Sequence, residues 1–482
     1  MISSFLSCAK GNAMRSWKLE IGSPIYMPQY QPEMGKPIVP ENGPIAFLIC
    51  HGMGQQVPFE TLDCVAKAIC DANTEQGGHA DIVGRMLKVD AKENLISRVE
   101  ITLKSASGQT RQVLHLYEAY WAPVTEGGIT YWQTAAFLLR SGWIGLKASI
   151  NGRFDRWIFG DLKWLPVERN TFLLIALLLL VLAPLLFLAA STTIFTYLVS
   201  TIHEPKSFDF SALRFNFITV ALIGIAWFLL RKFRNFVLQY IGDVAIYVSG
   251  NEVNRFWRIR EEIKDIGYQI AKTIYTSVNL PQFNNNAVND PAKPGAMEIE
   301  LAYRKVVIVG HSLGSVLAYD TLNTIVRNDQ ILSDSMSALA RTEALITLGS
   351  PLDKTAFLFR QHLKNAVVRE AMANAVQPMV QSYAFRPGWW INIFNHGDIV
   401  AGSLEYYDDP NCTNAQRRVR NFQDEEKIWN PLSAHTGYWN RTMTKEILYK
   451  AATENLESID QPEAKTFNKE KPKKILSQQA PH

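Results

Sequence analysis

The pentapeptide Gly310-His311-Ser312-Leu313-Gly314 has the residue types of a GxSxG turn. It stands between the β-branched run Lys305-Val306-Val307-Ile308-Val309 and a helix-like stretch from Ser315 to Val326. Strand, tight turn and helix in that order is the setting in which this motif presents a nucleophile. A serine hydroxyl attacks a carbonyl only when a base takes its proton and donors stabilise the resulting oxyanion. Gly310 and Gly314 lack a β-carbon, so strand and helix can close tightly and push the Ser312 hydroxyl out above the sheet. The Leu313 N–H then points towards the oxyanion. A GxSxG pattern alone is common, and its flanking elements are what give it specificity here.

The remaining parts of such a centre have candidates elsewhere. A second oxyanion donor is expected from the loop after an early strand, and His51-Gly52-Met53-Gly54 follows the apolar run Ile45–Cys50. Met53 N–H is the expected donor and Gly52 its rival. The plainer reading is a glycine turn braced by the His51 side chain, and His51 is the catalytic base in neither reading. The Ser312 turn resembles that of the α/β-hydrolases, which run in the order nucleophile, acid, histidine; that resemblance implies a late base, and His435 in Ser433-Ala434-His435-Thr436-Gly437-Tyr438-Trp439 fits. His362, His396 and His482 are simpler as packing or surface residues. For the carboxylate that orients the base, Asp398 follows the strand-like Trp389–Phe394 in Asn395-His396-Gly397-Asp398. Asp353, in Gly349-Ser350-Pro351-Leu352-Asp353 after the strand Ala344–Leu348, is the alternative acid, and Asp398 also fits an ordinary turn.

These loops need a scaffold, and the hydrophobic pattern supplies an α/β one. Helices are expected over Thr61–Ala72 and Asn254–Thr276, and paired strands over Arg98–Lys104 and Gln112–Trp121 around a Ser107-Gly108 turn. Thr130 to Ile150 suits an amphipathic helix on a membrane surface or over a pocket. Thr171 to Ile202 carries no charge over about 32 positions, beyond the roughly 20 needed to cross a bilayer, and Phe215 to Leu230 forms a second, shorter uncharged run. Strands before and after this block must share a sheet, so an even number of crossings is required. Lys163, Arg169, Arg231, Lys232 and Arg234 at the outer ends put the catalytic portion on the cytoplasmic side. The division that follows is an extended lead (1–44), the first part of an α/β domain (45–165), a two-helix transmembrane hairpin insertion (166–235), the second part of the domain (236–452) and a disordered tail (453–482).

Composition narrows the partners. The 482 residues carry 49 basic and 45 acidic side chains for a net charge of +4, too balanced to favour nucleic acid. Five cysteines with no CxxC spacing favour neither a zinc site nor a disulfide framework, and a reducing compartment is expected. Residues 1–10 lack both a basic start and an apolar run of signal-peptide length, so no signal peptide is expected, although Leu6-Ser7-Cys8 faintly resembles a lipoprotein cleavage site. No metal-ligand spacing and no phosphate-binding glycine loop is present, so no cofactor is expected.

Together, His51-Gly52-Met53-Gly54-Gln55-Gln56, Gly310-His311-Ser312-Leu313-Gly314-Ser315 and Leu348-Gly349-Ser350-Pro351-Leu352 resemble the lipase-like serine esterases of the α/β-hydrolase superfamily. Glu118-Ala119-Tyr120-Trp121-Ala122-Pro123 looks like a segment recurring in uncharacterised bacterial members. The resemblance spans Ile45 to Tyr438 outside the apolar hairpin. It implies a mostly parallel sheet flanked by helices, a Ser312, Asp398, His435 triad and ester hydrolysis through an acyl-enzyme. The long insertion departs from the pattern, and the surroundings of Asp398 are less distinctive than those of Ser312. The expected function is a membrane-anchored serine hydrolase acting on carboxylic esters, lipid esters in particular, with the bilayer and its substrate as partners. The alternative is a catalytically silent membrane scaffold or lipid-binding protein of the same fold.

Overall fold

Among the described residues of the computed structural model, ten strands form one sheet. Those residues are 20–34, 36–54, 56–89, 95–125, 256–279, 299–332, 335–352, 386–398, 400–404, 418–428 and 430–459, with isolated positions between 136 and 247 and at 355 and 407. The strands are β1 (Glu20–Ile21), β2 (Ile25–Tyr26), β3 (Ile45–Cys50), β4 (His79–Lys88), β5 (Leu95–Lys104), β6 (Thr110–Ala119), β7 (Lys305–His311), β8 (Thr342–Leu348), β9 (Trp389–Asn395) and β10 (Val419–Asp424). Their order is β1-β4-β5-β6-β3-β7-β8-β9-β10, with β2 also on β4. The pairs β4–β5 and β5–β6 are antiparallel, and every other pair is parallel. The chain is thus a mixed, mostly parallel α/β structure.

Strand β3 shows why the centre of the sheet is continuous apolar sequence. Its six residues are all buried, because both faces are covered. Ala46, Leu48 and Cys50 point into one core layer with Val306 and Ile308 of β7. Ile45, Phe47 and Ile49 point into the other with Val307 and Val309. The period-two alternation of a strand splits adjacent residues between the layers. The first layer is closed by α2 (Phe256–Thr276) and α3 (Leu313–Ile331), the second by α1 (Glu60–Glu75) and α5 (Thr442–Ala452). Complete burial of each aliphatic side chain in these strands contributes about 1.5–3 kcal/mol.

Several elements differ from expectation. Strands β4 and β10 carry little apolar signal, since β4 alternates exposed and half-buried positions and β10 pairs on one side only. The lead before residue 45 joins the sheet, as β1 and β2 pair with β4. Order continues past Thr453 to Ile459, with Leu456 buried against the layer that holds α5, and the rest of the expected tail lies outside the described residues. Among the described residues no helix is long and apolar enough to cross a membrane. The segments 171–202 and 215–230 lie outside them, apart from Leu177, Leu180 and Val181, which are helical. Of the 130–150 stretch, Ala136, Phe137, Leu139 and Trp143 are described and helical.

Candidate active site

The nominated loops at His51, Ser312, Ser350 and Asp398 leave the carboxyl ends of four neighbouring parallel strands, β3, β7, β8 and β9, and the segment with His435 follows β10. Open α/β sheets bind their ligands at this edge. Ser312 sits between β7 and α3 with φ 54° and ψ −130°, a backbone state that a residue with a β-carbon enters only under strain. Such strain costs on the order of 1–3 kcal/mol and persists where neighbours enforce it. Here the Ser312 N–H donates to the Leu348 carbonyl at 2.9 Å. The Ser312 carbonyl accepts from the N–H and Oγ of Ser315, at 2.9 and 2.6 Å. Ser315 Oγ also lies 2.7 Å from Ser350 Oγ, joining this turn to the loop after β8. A β-carbon on Gly310 would meet Ser315 Cα at 2.5 Å, and one on Gly314 would overlap the carbonyl oxygens of Cys50 and His51. The start of α3 therefore presses directly on the exit of β3, and only glycine allows it.

His435 lies near the end of a short helix, α4 (Pro431–Thr436). Its Nε2 is 2.8 Å from Ser312 Oγ and its Nδ1 is 2.8 Å from Asp398 Oδ2. A carboxylate only accepts, so the ring proton belongs on Nδ1, which leaves Nε2 to receive the serine proton. The Asp398 side chain is wholly buried. Burial alone would raise its pKa, but hydrogen bonds from His435, Tyr438 and the Val400 N–H, with the charge of His435, more than offset that and hold the carboxyl below its ordinary value. Val400 N–H and Ala401 N–H both donate to Oδ1, at 2.8 and 3.2 Å. Asp398 does form a turn, as its plainer reading supposes, and it meets His435 as well. Asp353, the alternative acid, lies outside the described residues.

Sequence reasoning missed Tyr438. Its hydroxyl donates to Asp398 Oδ2 at 2.8 Å and accepts the Asn395 N–H at 3.0 Å, so it ties the acid to the end of β9. The only local signal was its place three residues after His435. His311, the variable residue inside GxSxG, was also unassigned. Its Nε2–H donates to the His435 carbonyl at 2.9 Å, and burial with the neighbouring His435 lowers its pKa to about 4, so it serves as a neutral strut.

On the other side of Ser312, His51 braces its own loop. His51 Nδ1–H donates to the Gly52 carbonyl at 2.8 Å, and Nε2 accepts the Trp121 N–H at 2.9 Å. Its ring stacks on Trp121 with centroids 4.8 Å apart, while Trp121 Nε1–H donates to the His51 carbonyl at 3.1 Å. Burial lowers the imidazole pKa to about 4, so His51 stays neutral and is no general base. In a trans peptide C=O and N–H point in opposite directions. With the Gly52 carbonyl turned to the His51 ring, the Met53 N–H is directed away from it. Gly52 passes close to Ser312, since a β-carbon there would lie 3.1 Å from Ser312 Cβ. Gly54 spends its N–H on Asp243 Oδ2 at 2.7 Å and so is not an oxyanion donor. Leu313 opens α3, where first-turn N–H groups have no acceptor within the helix.

The Glu118–Trp121 segment proves to be the wall behind this loop. Tyr120 donates to the Gln56 carbonyl at 2.9 Å, and Glu118 Oε2 accepts the Phe59 N–H at 2.5 Å at the start of α1. Burial outweighs the N–H groups of Phe59 and Leu62 and raises the Glu118 pKa to about 7. Among the described residues no cluster of three or more His, Cys, Asp or Glu side chains is placed to hold a metal, and the buried Cys50, Cys64 and Cys70 form no disulfide.

The class these features define is an α/β structure with a hydrogen-bonded serine, histidine and aspartate at the carboxyl edge of its sheet. No family model, no curated protein and no solved structure matches the chain.

Proposed function

We propose that this chain is a serine hydrolase that cleaves carboxylic esters, of the lipase-like α/β-hydrolase kind. The observation that carries the reading is the unbroken chain from Ser312 Oγ through His435 to a buried, ionised Asp398, built on a strained serine turn. His435 takes the Ser312 proton as Oγ attacks the ester carbonyl, and Asp398 stabilises the imidazolium that forms. The N–H groups of Leu313 and Met53 receive the charge on the carbonyl oxygen. Collapse of the tetrahedral intermediate breaks the ester C–O bond, and the leaving alcohol takes the proton from His435. Water, deprotonated by the same ring, then attacks the acyl-enzyme, releasing the acid and restoring Ser312.

The uncharged runs 171–202 and 215–230 form a membrane hairpin in this reading, with the catalytic part on the cytoplasmic side. Leu177 and Val181 are helical and exposed, as lipid-facing residues on one such helix would be. A site held beside a bilayer meets lipid esters at high local concentration, which makes them the expected substrates.

Fluorophosphonate labelling tests the reading, because rapid reaction requires a serine with a working base. Wild-type protein should label within minutes, and Ser312→Ala and His435→Ala should not. Absence of labelling in the folded wild type would replace the enzyme with the alternative, a catalytically silent scaffold or lipid-binding protein.

A further inference from the structure

Asp243 and Tyr247 are both helical and both buried. They follow the apolar insertion in sequence, yet each reaches one side of the candidate site. Asp243 Oδ2 accepts the Gly54 N–H at 2.7 Å, and the Thr125 hydroxyl also bonds this carboxylate. Tyr247 donates to Asp320 Oδ2 at 2.7 Å, in the helix that begins at Leu313. The Arg260 guanidinium, from α2, lies over the Tyr247 ring at 5.5 Å and 4.0 Å from the same Asp320 oxygen.

We infer that Asp243 and Tyr247 are positioning residues for the proposed oxyanion hole, holding the Met53 loop and the Leu313 helix in register with each other. The inference rests on the serine-hydrolase reading and deepens it. Gly54 has φ 94°, open to glycine, and that conformation turns its N–H towards Asp243. The same Met53–Gly54 peptide offers its carbonyl to Gln56 Nε2 at 3.3 Å, so both of its polar groups are engaged. The preceding Gly52–Met53 peptide is fixed by His51. Peptides on both sides of Met53 are therefore pinned, which fixes the direction of the Met53 N–H. Asp320 lies two turns into α3 from Leu313, so the Tyr247 bond acts on the element carrying the other donor.

The buried Asp243 carboxyl costs stability rather than adding it. A neutral acceptor would satisfy the Gly54 N–H at a smaller desolvation cost, and burial does raise the Asp243 pKa, to about 6. A costly buried group that orients a loop beside a reactive serine is what a positioning role predicts.

The test uses the full chain, p-nitrophenyl butyrate as ester probe and fluorophosphonate labelling as the check on the serine. Asp243→Ala should lower kcat roughly 10- to 100-fold with KM within about twofold, a loss below that of deleting a donor outright. Asp243→Asn keeps an oxygen acceptor, so it should retain at least about a third of wild-type kcat and melt no lower than wild type. Tyr247→Phe, which removes one hydroxyl and preserves packing, should lower kcat roughly three- to tenfold at unchanged KM. If Asp243→Ala does not fold, Tyr247→Phe still decides. Wild-type kcat in Tyr247→Phe, or in folded Asp243→Ala, overturns the inference while the serine-hydrolase reading stands. A wild type that neither labels nor turns over removes that reading and the inference with it.

Discussion

Replacing Tyr438 with phenylalanine isolates one hydroxyl at the centre of the site. The ring stays, packed under the Arg441 guanidinium at 4.2 Å, so no cavity opens. What disappears is the donor to Asp398 Oδ2 and the acceptor of the Asn395 N–H. A hydrogen bond to a charged group contributes about 1.5–3 kcal/mol, and a buried N–H left without a partner costs about 1–3 kcal/mol. These overlap, and a net destabilisation of about 3 kcal/mol is expected. Asp398 keeps three of its four donors, His435 Nδ1–H and the N–H groups of Val400 and Ala401. The orientation of His435 should therefore loosen without being lost, and kcat should fall about tenfold, equivalent to ~1.4 kcal/mol in the transition state.

The pH dependence gives the refuting test. Asp398 has a folded pKa below its unfolded value, so its contribution is present above the unfolded pKa and is lost as pH falls through the folded one. Without the Tyr438 hydroxyl the folded pKa rises towards the unfolded one, so the contribution is smaller and its loss is complete at a higher pH. Urea unfolding of both proteins from pH 3 to 7 should show the variant less stable at pH 7, with the gap to wild type narrowing as the pH falls, alongside steady-state kinetics at pH 7. Superimposable curves and a kcat within twofold would mean that Tyr438 does not hold the acid.

Gly314→Ala should abolish labelling and leave little folded protein, because its β-carbon would occupy the space of the Cys50 and His51 carbonyls. Soluble yield and thermal melting measure this, and a stable, active variant would contradict the described turn. Glu118→Gln should flatten part of the stability–pH profile. Glu118 has a folded pKa raised to about 7, so the folded protein holds an extra proton and wild-type stability falls as pH rises from 4.5 towards 7. At about 1.4 kcal/mol per pH unit the difference between wild type and variant should change by up to ~3 kcal/mol across that window. Parallel unfolding profiles would show that the carboxyl titrates normally.

Legibility in the sequence followed the range of the signal. The strands β3, β7 and β8 announce themselves as continuous apolar runs because both of their faces are buried, and the glycines around Ser312 record a collision with neighbouring backbone. Ser312, Asp398 and His435, nominated from motif and chain order, do come within hydrogen-bond reach. Strand β10 was hidden because Val419-Arg420-Asn421-Phe422-Gln423-Asp424 pairs with β9 alone and need not be apolar. Asp243 was hidden for another reason. Its partner Gly54 lies 189 residues away, and nothing near either residue encodes that contact. Glu118 and Trp121 belonged to a segment conspicuous in sequence, but only the fold shows that they back the His51 loop.

The pairing of β3 with β7 constrains everything between them. Ile45 to Cys50 matches Lys305 to Gly310 residue for residue, so the chain on either side of the insertion meets in one continuous hydrogen-bonded core. Neither half can be moved across a bilayer from the other without breaking that ladder, and no sheet edge tolerates being stripped of its partner in lipid. Whatever crossings the intervening chain makes must therefore be even in number. Asp243 tightens the argument, because it follows both apolar runs and still touches the loop after β3. The chain is thus back against the core at residue 243. In the proposed membrane-anchored form, single cysteines at Gln109, before the insertion, and Asn455, after it, should be modified from the same side of the bilayer. Opposite sides would be incompatible with the sheet itself, and not merely with the proposed anchor.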